Sequence, residues 1–377
     1  MHLGLNLVYL VPGETGGMEM YARELAPALA STAPGIKITA FINREAADAG
    51  LDLGSGIGMV VVPVHARNRV EWVRGEQLDV PRLAKRERIE LMHSLASTAP
   101  GRGPFVRVTT IHDLIYRLFP EAHFGLRSLG MRLLVPLAAH RSQRIIADSQ
   151  STADDIHRFL RVRPDKVDVI PLGFGDVPHL GAPAEPQDDV RLRWQLGDRP
   201  LVLTLSAKRP VKNLVGLLEA LALIPSERRP VLMMPGYPTP YEPELRRRAR
   251  ELGVQDDVRM PGWIPREQVE GLWQTARCFV FPSLYEGFGA PVLEAMRRGV
   301  PVACSDRSSL PEVAGTAALF FDPEHPREIA AALEELLTDE RKAAELVRLG
   351  FAQADRFTWA ETARRTLASY ELALRGR

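Results

Sequence analysis

Short runs of aliphatic and β-branched residues recur along the whole chain, separated by stretches whose apolar positions repeat every three to four residues. Such a pattern reads as buried strands alternating with helices. The runs at 2–11, 36–42, 59–62, 89–93, 106–111, 144–148 and 167–170 are the predicted strands of a first half, with the clearest helical spacing at 18–30, 124–140 and 152–160. Continuous apolar runs, rather than strict alternation, belong to strands covered on both faces, as in a parallel sheet with crossover helices. Residues 173–187, with Pro178, Gly181, Pro183 and Pro186, show neither period and read as a linker. A second series of strands follows at 200–205, 231–234, 258–260, 278–281, 300–303 and 318–321, and from 326 onward the pattern is helical, broken at Phe357-Thr358-Trp359. The expectation is an α/β protein of two doubly wound domains. They span 1–173, joined by the terminal helix 358–377, and 199–357, with a linker at 174–198.

Composition agrees with this and narrows it. At 377 residues the chain is long enough for two cores. Hydrophobic residues make up 45%, charged residues 25%, and the formal net charge is +1. Nothing global draws it to nucleic acid, so any basic patch is local. Its two cysteines, Cys278 and Cys304, sit in separate apolar runs. They offer neither a disulfide framework nor a metal knuckle and read as buried thiols in a reducing compartment. The strand pattern begins at once, without a charged leader, and no run of about 20 apolar residues is present, so a cytoplasmic location is expected. The run from Phe124 to Val135 mixes basic and apolar residues. It fits a core-facing helix or one touching an anionic membrane or a lipid-linked acceptor.

The candidate chemistry centres on Ser283-Leu284-Tyr285-Glu286-Gly287-Phe288-Gly289-Ala290-Pro291-Val292-Leu293-Glu294, where two carboxylates eight residues apart flank a Gly-aromatic-Gly turn. Residues 277–282 before it read as a strand, and 290–298 after it as a helix closed by Gly299. Free amides and the positive dipole end at a helix start attract anions, and glycine lets a phosphate come close to the backbone. Glu286 on the loop could then face a sugar or phosphate, while Glu294 could accept both hydrogens of a ribose diol. Taken alone, the same residues are also a solvated loop charge and a good helix former. Lys208, Arg209 and Lys212 follow the first strand of the second domain. They are either surface basics or the groups that offset a diphosphate charge in a chain without an Asp-x-Asp. Gly16-Gly17 precedes a helix, and His112 ends the strand through Thr109-Thr110-Ile111, as a core histidine or a site residue. Asp113 beside it comes without a Gly-x-Ser-x-Gly elbow, so no hydrolase triad is supported. Gly54-Ser55-Gly56-Ile57-Gly58 has neither P-loop nor dinucleotide spacing and reads as a flexible connection.

The string 283–294 resembles the paired-glutamate signature of the retaining glycosyltransferases of family 4. Gly13-Glu14-Thr15-Gly16-Gly17, Thr110-Ile111-His112-Asp113, Lys212-Asn213 and Ser308-Ser309-Leu310-Pro311-Glu312-Val313 fall in the order usual for that family. The resemblance implies the GT-B architecture, two Rossmann-like domains facing across a cleft, with the C-terminal helix crossing back to the N-terminal domain. It also implies catalytic roles for His112 and Glu286, with His112 beside the transferred sugar through a hydrogen bond or its backbone carbonyl. The donor would be bound by Gly16, Gly17, Lys208, Arg209, Lys212, Gly262, Trp263, Gly287, Phe288, Gly289 and Glu294. Lys212 matches the family's phosphate lysine. The arginine usual five positions earlier is Ala207 here, so Lys208 or Arg209 takes that role. Base recognition would come from backbone near Gly262-Trp263-Ile264. The implied reaction moves a hexose from a nucleoside diphosphate sugar to a hydroxyl of a glycan, lipid-linked or small-molecule acceptor. No cofactor and no divalent metal are expected, and the departing phosphate takes the acceptor proton. The helix from Pro291 and the Leu310 to Val313 run look most like mannosyltransferases of surface-polysaccharide assembly, which points to GDP-mannose. A nucleotide-sugar 2-epimerase on the same scaffold and a non-catalytic binding protein are the alternatives. The order of motifs favours transfer over epimerisation, and the presence of His112, Lys212 and Glu286 argues against a dead site.

Overall fold

The computed structural model describes residues 1–119, 127–174 and 184–376. The chain forms two compact units, Met1–Gly173 with Phe357–Arg377, and Phe174–Arg356. The first is built on seven parallel strands, β1 (His2–Leu7), β2 (Lys37–Ile42), β3 (Ile57–Val61), β4 (Leu91–Ser94), β5 (Val106–Ile111), β6 (Arg144–Ala147) and β7 (Val167–Val169), in the order β3-β2-β1-β4-β5-β6-β7. Every residue of β1 is buried, as expected of a central strand covered on both faces. A side chain at Gly4 would make Met92 and Ile89 shift, because a Cβ would stand 2.9 Å from Met92 Cε and 3.0 Å from Ile89 Cγ2. The helix Gly17–Thr32 lays Tyr21, Ala22, Leu25 and Leu29 on the sheet, and the terminal helix Trp359–Arg375 adds Ala363, Tyr370 and Ala373 to the same core. Thr358 starts that last helix by accepting a hydrogen bond from the Glu361 amide, which is why Phe357-Thr358-Trp359 reads as a break.

The second unit carries six parallel strands, β8 (Leu201–Leu203), β9 (Val231–Met233), β10 (Val258–Arg259), β11 (Ala276–Phe281), β12 (Val302–Ser305) and β13 (Ala318–Phe321), in the order β10-β9-β8-β11-β12-β13. Leu217, Leu218 and Leu221 from one helix and Ile329 and Leu333 from another pack against Val202, Val280 and Ala303 of the sheet. Cys278 and Cys304 are buried and unpaired, and burial pushes the Cys278 thiol up to about 12, so it is inert as a nucleophile. Among the described residues no helix is long and apolar enough to cross a membrane.

The structure departs from the sequence reading in several places. Ile57 and Gly58, read as part of a flexible connection, open β3 and pair with Ile38 and Thr39. Within the stretch read as linker, Gln187–Arg193 is a helix whose Val190 is buried beside Gly271 of the helix Arg266–Thr275; residues 175–183 lie outside the described residues. The helix expected at 124–140 is described from Arg127 to Arg141, and 124–126 lie outside the described residues. A continuous helical segment was also missed, Arg69–Arg74, a π-helical turn Gly75–Asp79 and Val80–Arg86. The segment contains a glycine and a proline, residues that disfavour a helix interior in isolation. In the fold, Gly75 sits where a Cβ would come within 2.8 Å of Val64, and Pro81 occupies a first helical turn, where its missing N–H costs nothing.

That π-helical turn buries Glu76, whose Oε1 accepts from Thr98 Oγ1 at 2.8 Å and Asn6 Nδ2 at 3.1 Å, and whose Oε2 accepts from Gln77 at 3.1 Å. Burial pushes its carboxyl up to about 7, against the pull of those three donors. Because the folded value lies above the unfolded one, the favourable contribution is complete below about pH 4.5 and is lost as pH rises through about 7. Glu76→Gln is therefore expected to remove a stability loss on the order of 2–3 kcal/mol between pH 4.5 and 8. Urea unfolding of both proteins at the two pH values reads it, and a wild-type-minus-variant difference that stays constant with pH contradicts it.

Candidate functional site

In the second unit the loop after β11 is held from both sides. The Leu284 amide donates to Val211 O at 2.9 Å, tying it to the loop after β8. The Glu286 amide donates to Ser308 Oγ at 2.9 Å, and the Ser309 hydroxyl stands 3.0 Å from Glu286 O and 2.7 Å from Phe288 O. Ser308 takes up a left-handed backbone, φ 53°, to reach this position. Gly289 starts the helix Ala290–Arg297 at φ 104°, and a Cβ there would lie 2.6 Å from Leu310 Cδ2. The run 308–313, picked out in the sequence only as a motif, is thus the brace that shapes the Glu286 loop.

Lys212 ends a single 3-10 turn, Pro210–Lys212, and its Nζ lies 2.6 Å from Glu286 Oε1 and 5.6 Å from the centroid of the Phe281 ring. Both side chains are largely buried. Asn213 follows in the left-handed region, which an asparagine tolerates, and its Nδ2 donates to Pro323 O at 2.6 Å. Arg209 is half-buried, and its guanidinium has no hydrogen bond or ion pair among the described residues. Lys208 must be corrected. It is fully buried, donating to Gly236 O at 3.0 Å and Pro261 O at 3.4 Å and pairing with Glu242 at 3.3 Å. A lysine that rivets the loops after β8, β9 and β10 together is not free to meet a phosphate, and of the two residues only Arg209 keeps an unengaged cation.

Glu294 lies in the second turn of its helix, half-buried, and its carboxylate accepts no hydrogen bond among the described residues. Burial raises its pKa; Arg298 opposes the rise and Glu270 adds to it. Arg298 is itself engaged by Glu270 through contacts of 2.9 and 2.7 Å, so Glu294 keeps its oxygens for another donor. Gly262 and Trp263 sit on the loop after β10, where Gly262 O accepts from the Gly236 amide at 3.3 Å and Trp263 is 63% exposed. Gly287 is half-buried and Phe288 buried. All these loops follow the carboxyl ends of parallel strands, the edge at which open α/β sheets bind ligands.

In the first unit, Gly16 (φ 57°) and Gly17 are exposed at the start of the helix Gly17–Thr32, which no side chain caps. His112 follows β5, with Nδ1 2.7 Å from Asp148 Oδ2 and Nε2 2.8 Å from Leu95 O, while the ring of Tyr21 meets it edge-on at 5.0 Å. Burial works against its charge, yet the carboxylate of Asp148, the hydrogen bond it accepts and the Leu95 carbonyl hold the imidazole pKa up at about 9. The His112 carbonyl accepts from Thr152 Oγ1 at 3.3 Å. Both groups through which the sequence reading had His112 meet the sugar therefore have partners within the protein. Asp148 was missed. Its only signal was its place at the end of the predicted strand beside His112's own. Among the described residues no group of three or more histidine, cysteine or acidic side chains is arranged to hold a metal ion.

Two family profiles match successive parts of the chain, "Glycosyltransferase Family 4" over residues 15–174 and "Glycosyl transferases group 1" over 188–351. An "O-antigen chain mannosyltransferase B" of Escherichia coli is 33% identical over 270 residues, covering 70% of this chain and 70% of that protein. A "Serotype-specific mannosyltransferase WbdA" of the same species is 32% identical over 69% of this chain but only 32% of its own greater length. Among solved structures, the sucrose-phosphate synthase of Thermosynechococcus elongatus superimposes with TM-score 0.78 at 21% identity, covering 98% of both chains. Anabaena HepE in complex with UDP-glucose superimposes with TM-score 0.75 at 21% identity, covering 98% of this chain and 100% of that one. Profiles, relatives and fold agree, and the chain belongs to glycosyltransferase family 4, with the GT-B fold.

Proposed function

We propose that this glycosyltransferase moves mannose from GDP-mannose to a hydroxyl of a growing glycan, with retention at the anomeric carbon and without a divalent metal. The carrying observation is the group after β8 and β11. Lys212 of the loop after β8 pairs at 2.6 Å with Glu286, which precedes a helix that starts at glycine and carries the free carboxylate Glu294, and the unpaired Arg209 lies three residues before Lys212 in the chain. The family carry-over assigns the two cations and the helix amides to the diphosphate and Glu294 to the ribose diol. Glu286 takes sugar hydroxyls once Lys212 turns to phosphate. The C1–O bond to phosphate breaks, the acceptor oxygen bonds C1 on the same face, and the acceptor proton passes to the departing phosphate oxygen. The protein acts by positioning and by stabilising charge on the leaving group. The two cations supply the compensation that an Asp-x-Asp-bound ion supplies elsewhere. Mannose and a polysaccharide acceptor are supported by the names of the two E. coli relatives. The relatives described above are transferases, which gives the epimerase and binding-protein readings no support.

The test is transfer from labelled GDP-mannose, UDP-glucose, UDP-galactose and ADP-glucose to mannose-terminated oligosaccharides, with chelator present. GDP-mannose alone should serve. Glu294→Gln should raise the donor KM roughly tenfold, about 1.4 kcal/mol for weakening one charge-assisted contact, with kcat little changed. An unchanged KM removes Glu294 from the ribose.

A further inference from the structure

We infer that Asp148 is a positioning residue that acts through His112, holding its imidazole doubly protonated so that Nε2 presents only a hydrogen-bond donor to the sugar. The inference rests on the reading that His112 contacts the transferred sugar. A neutral imidazole has one donor and one acceptor nitrogen. Here both nitrogens face groups that can only accept, the Asp148 carboxylate at 2.7 Å and the Leu95 carbonyl at 2.8 Å, so both carry hydrogen. The largest favourable electrostatic contribution comes from Asp148. Asp148 is 2% exposed, and its Oδ1 has no hydrogen-bond partner among the described residues, so His112 alone balances its charge there.

The other groups around the ring do not substitute for Asp148. Tyr21, from the helix packed on the sheet, stays neutral because burial raises its hydroxyl, which lies 3.1 Å from Thr110 Oγ1. His93 of β4 is held between Thr110 Oγ1 at 2.8 Å and the Tyr370 hydroxyl at 2.7 Å; burial and the neighbouring His112 charge push it down to about 3, so it is neutral. Asp113, the next residue in the chain, adds a smaller pull on His112 than Asp148 and turns its Oδ1 to the Ile115 amide at 2.9 Å.

The Leu95 carbonyl then acts as a placeholder. Its segment is fixed by Glu76, which accepts from Thr98, and by Gln77, which donates to Ala99 O at 3.0 Å and accepts from the Gly101 amide at 2.9 Å. Nε2–H can exchange that carbonyl for a sugar oxygen without a change of protonation. The oxygen it meets must therefore accept, and the sugar hydroxyl must give its own hydrogen elsewhere.

The test is the titration of the histidine ring nitrogens by NMR in the full-length protein, with His112 assigned by its loss in His112→Gln. The wild-type ring should stay doubly protonated through pH 8 and titrate near 9. In Asp148→Asn it should be neutral at pH 7.5, because burial without a counter-charge drives an imidazole below its ordinary value of about 6.5. GDP-mannose turnover by Asp148→Asn should fall at least about tenfold at pH 8, in the manner of other carboxylates that orient a histidine. It should recover as pH drops below 6, with donor KM unchanged. A loss equal at all pH values marks a purely structural role and overturns the inference. So does a wild-type ring that titrates below 7, a result that needs no variant to fold. Wild-type turnover by His112→Gln would instead remove the sugar contact itself, leaving the ring titration to report on the pair.

Discussion

Lys212→Ala is expected to lower kcat/KM for sugar transfer by about 2–4 kcal/mol, roughly 30- to 1000-fold, the scale of losing one group that stabilises developing charge. Two losses combine. The leaving diphosphate forfeits a cation held close to the start of the helix Ala290–Arg297, and Glu286, 8% exposed, is left without its partner at 2.6 Å. Steady-state kinetics read the combined effect. A double-mutant cycle with Glu286→Gln separates the two losses, because residues in direct contact couple by about 0.5–3 kcal/mol. Turnover equal to wild type would sink the assignment of Lys212.

Gly289→Ala is the second large effect. At φ 104° an L-residue is strained whatever space surrounds it, at a cost on the order of 1–3 kcal/mol. Its Cβ would also meet Leu310 Cδ2 at 2.6 Å, a contact that the leucine can relieve only by moving within the brace that holds Glu286. Stability should fall by about the strain energy. Activity should fall further, on the order of 100-fold, because misplacing a reacting group by an ångström costs that much. Thermal unfolding and kcat are the two readouts. A variant with wild-type kcat shows that the loop does not depend on this backbone turn.

Much of the architecture was written in the chain because buried parallel strands carry an uninterrupted apolar signature. The strands around β1, β5 and β11 are visible for that reason. What escaped was decided by tertiary contacts. Gly75 and Pro81 break helices in isolation, yet one is demanded by Val64 and the other sits in a first turn. Spacing alone sets the paired glutamates on one loop and helix, whereas Lys212 and the 308–313 run, on the loops after β8 and β12, were singled out by their resemblance to the family's motifs. Lys208 could not be told from Arg209, because a basic run does not reveal which side chain turns inward to Gly236 O and Pro261 O. Nor could Asp148, since its partner His112 lies 36 residues away and the pair exists only through the adjacency of β5 and β6.

The central claim is a donor site that works through Arg209, Lys212, Glu286 and Glu294 without a metal. It is tested most directly by calorimetric titration of the full-length protein with GDP, UDP, ADP and dTDP in the presence of EDTA. GDP is predicted to bind under these conditions, with affinity reduced roughly tenfold or more in both Lys212→Ala and Glu294→Gln. Failure of all four to bind, or binding that appears only when a divalent cation is restored, would contradict the account.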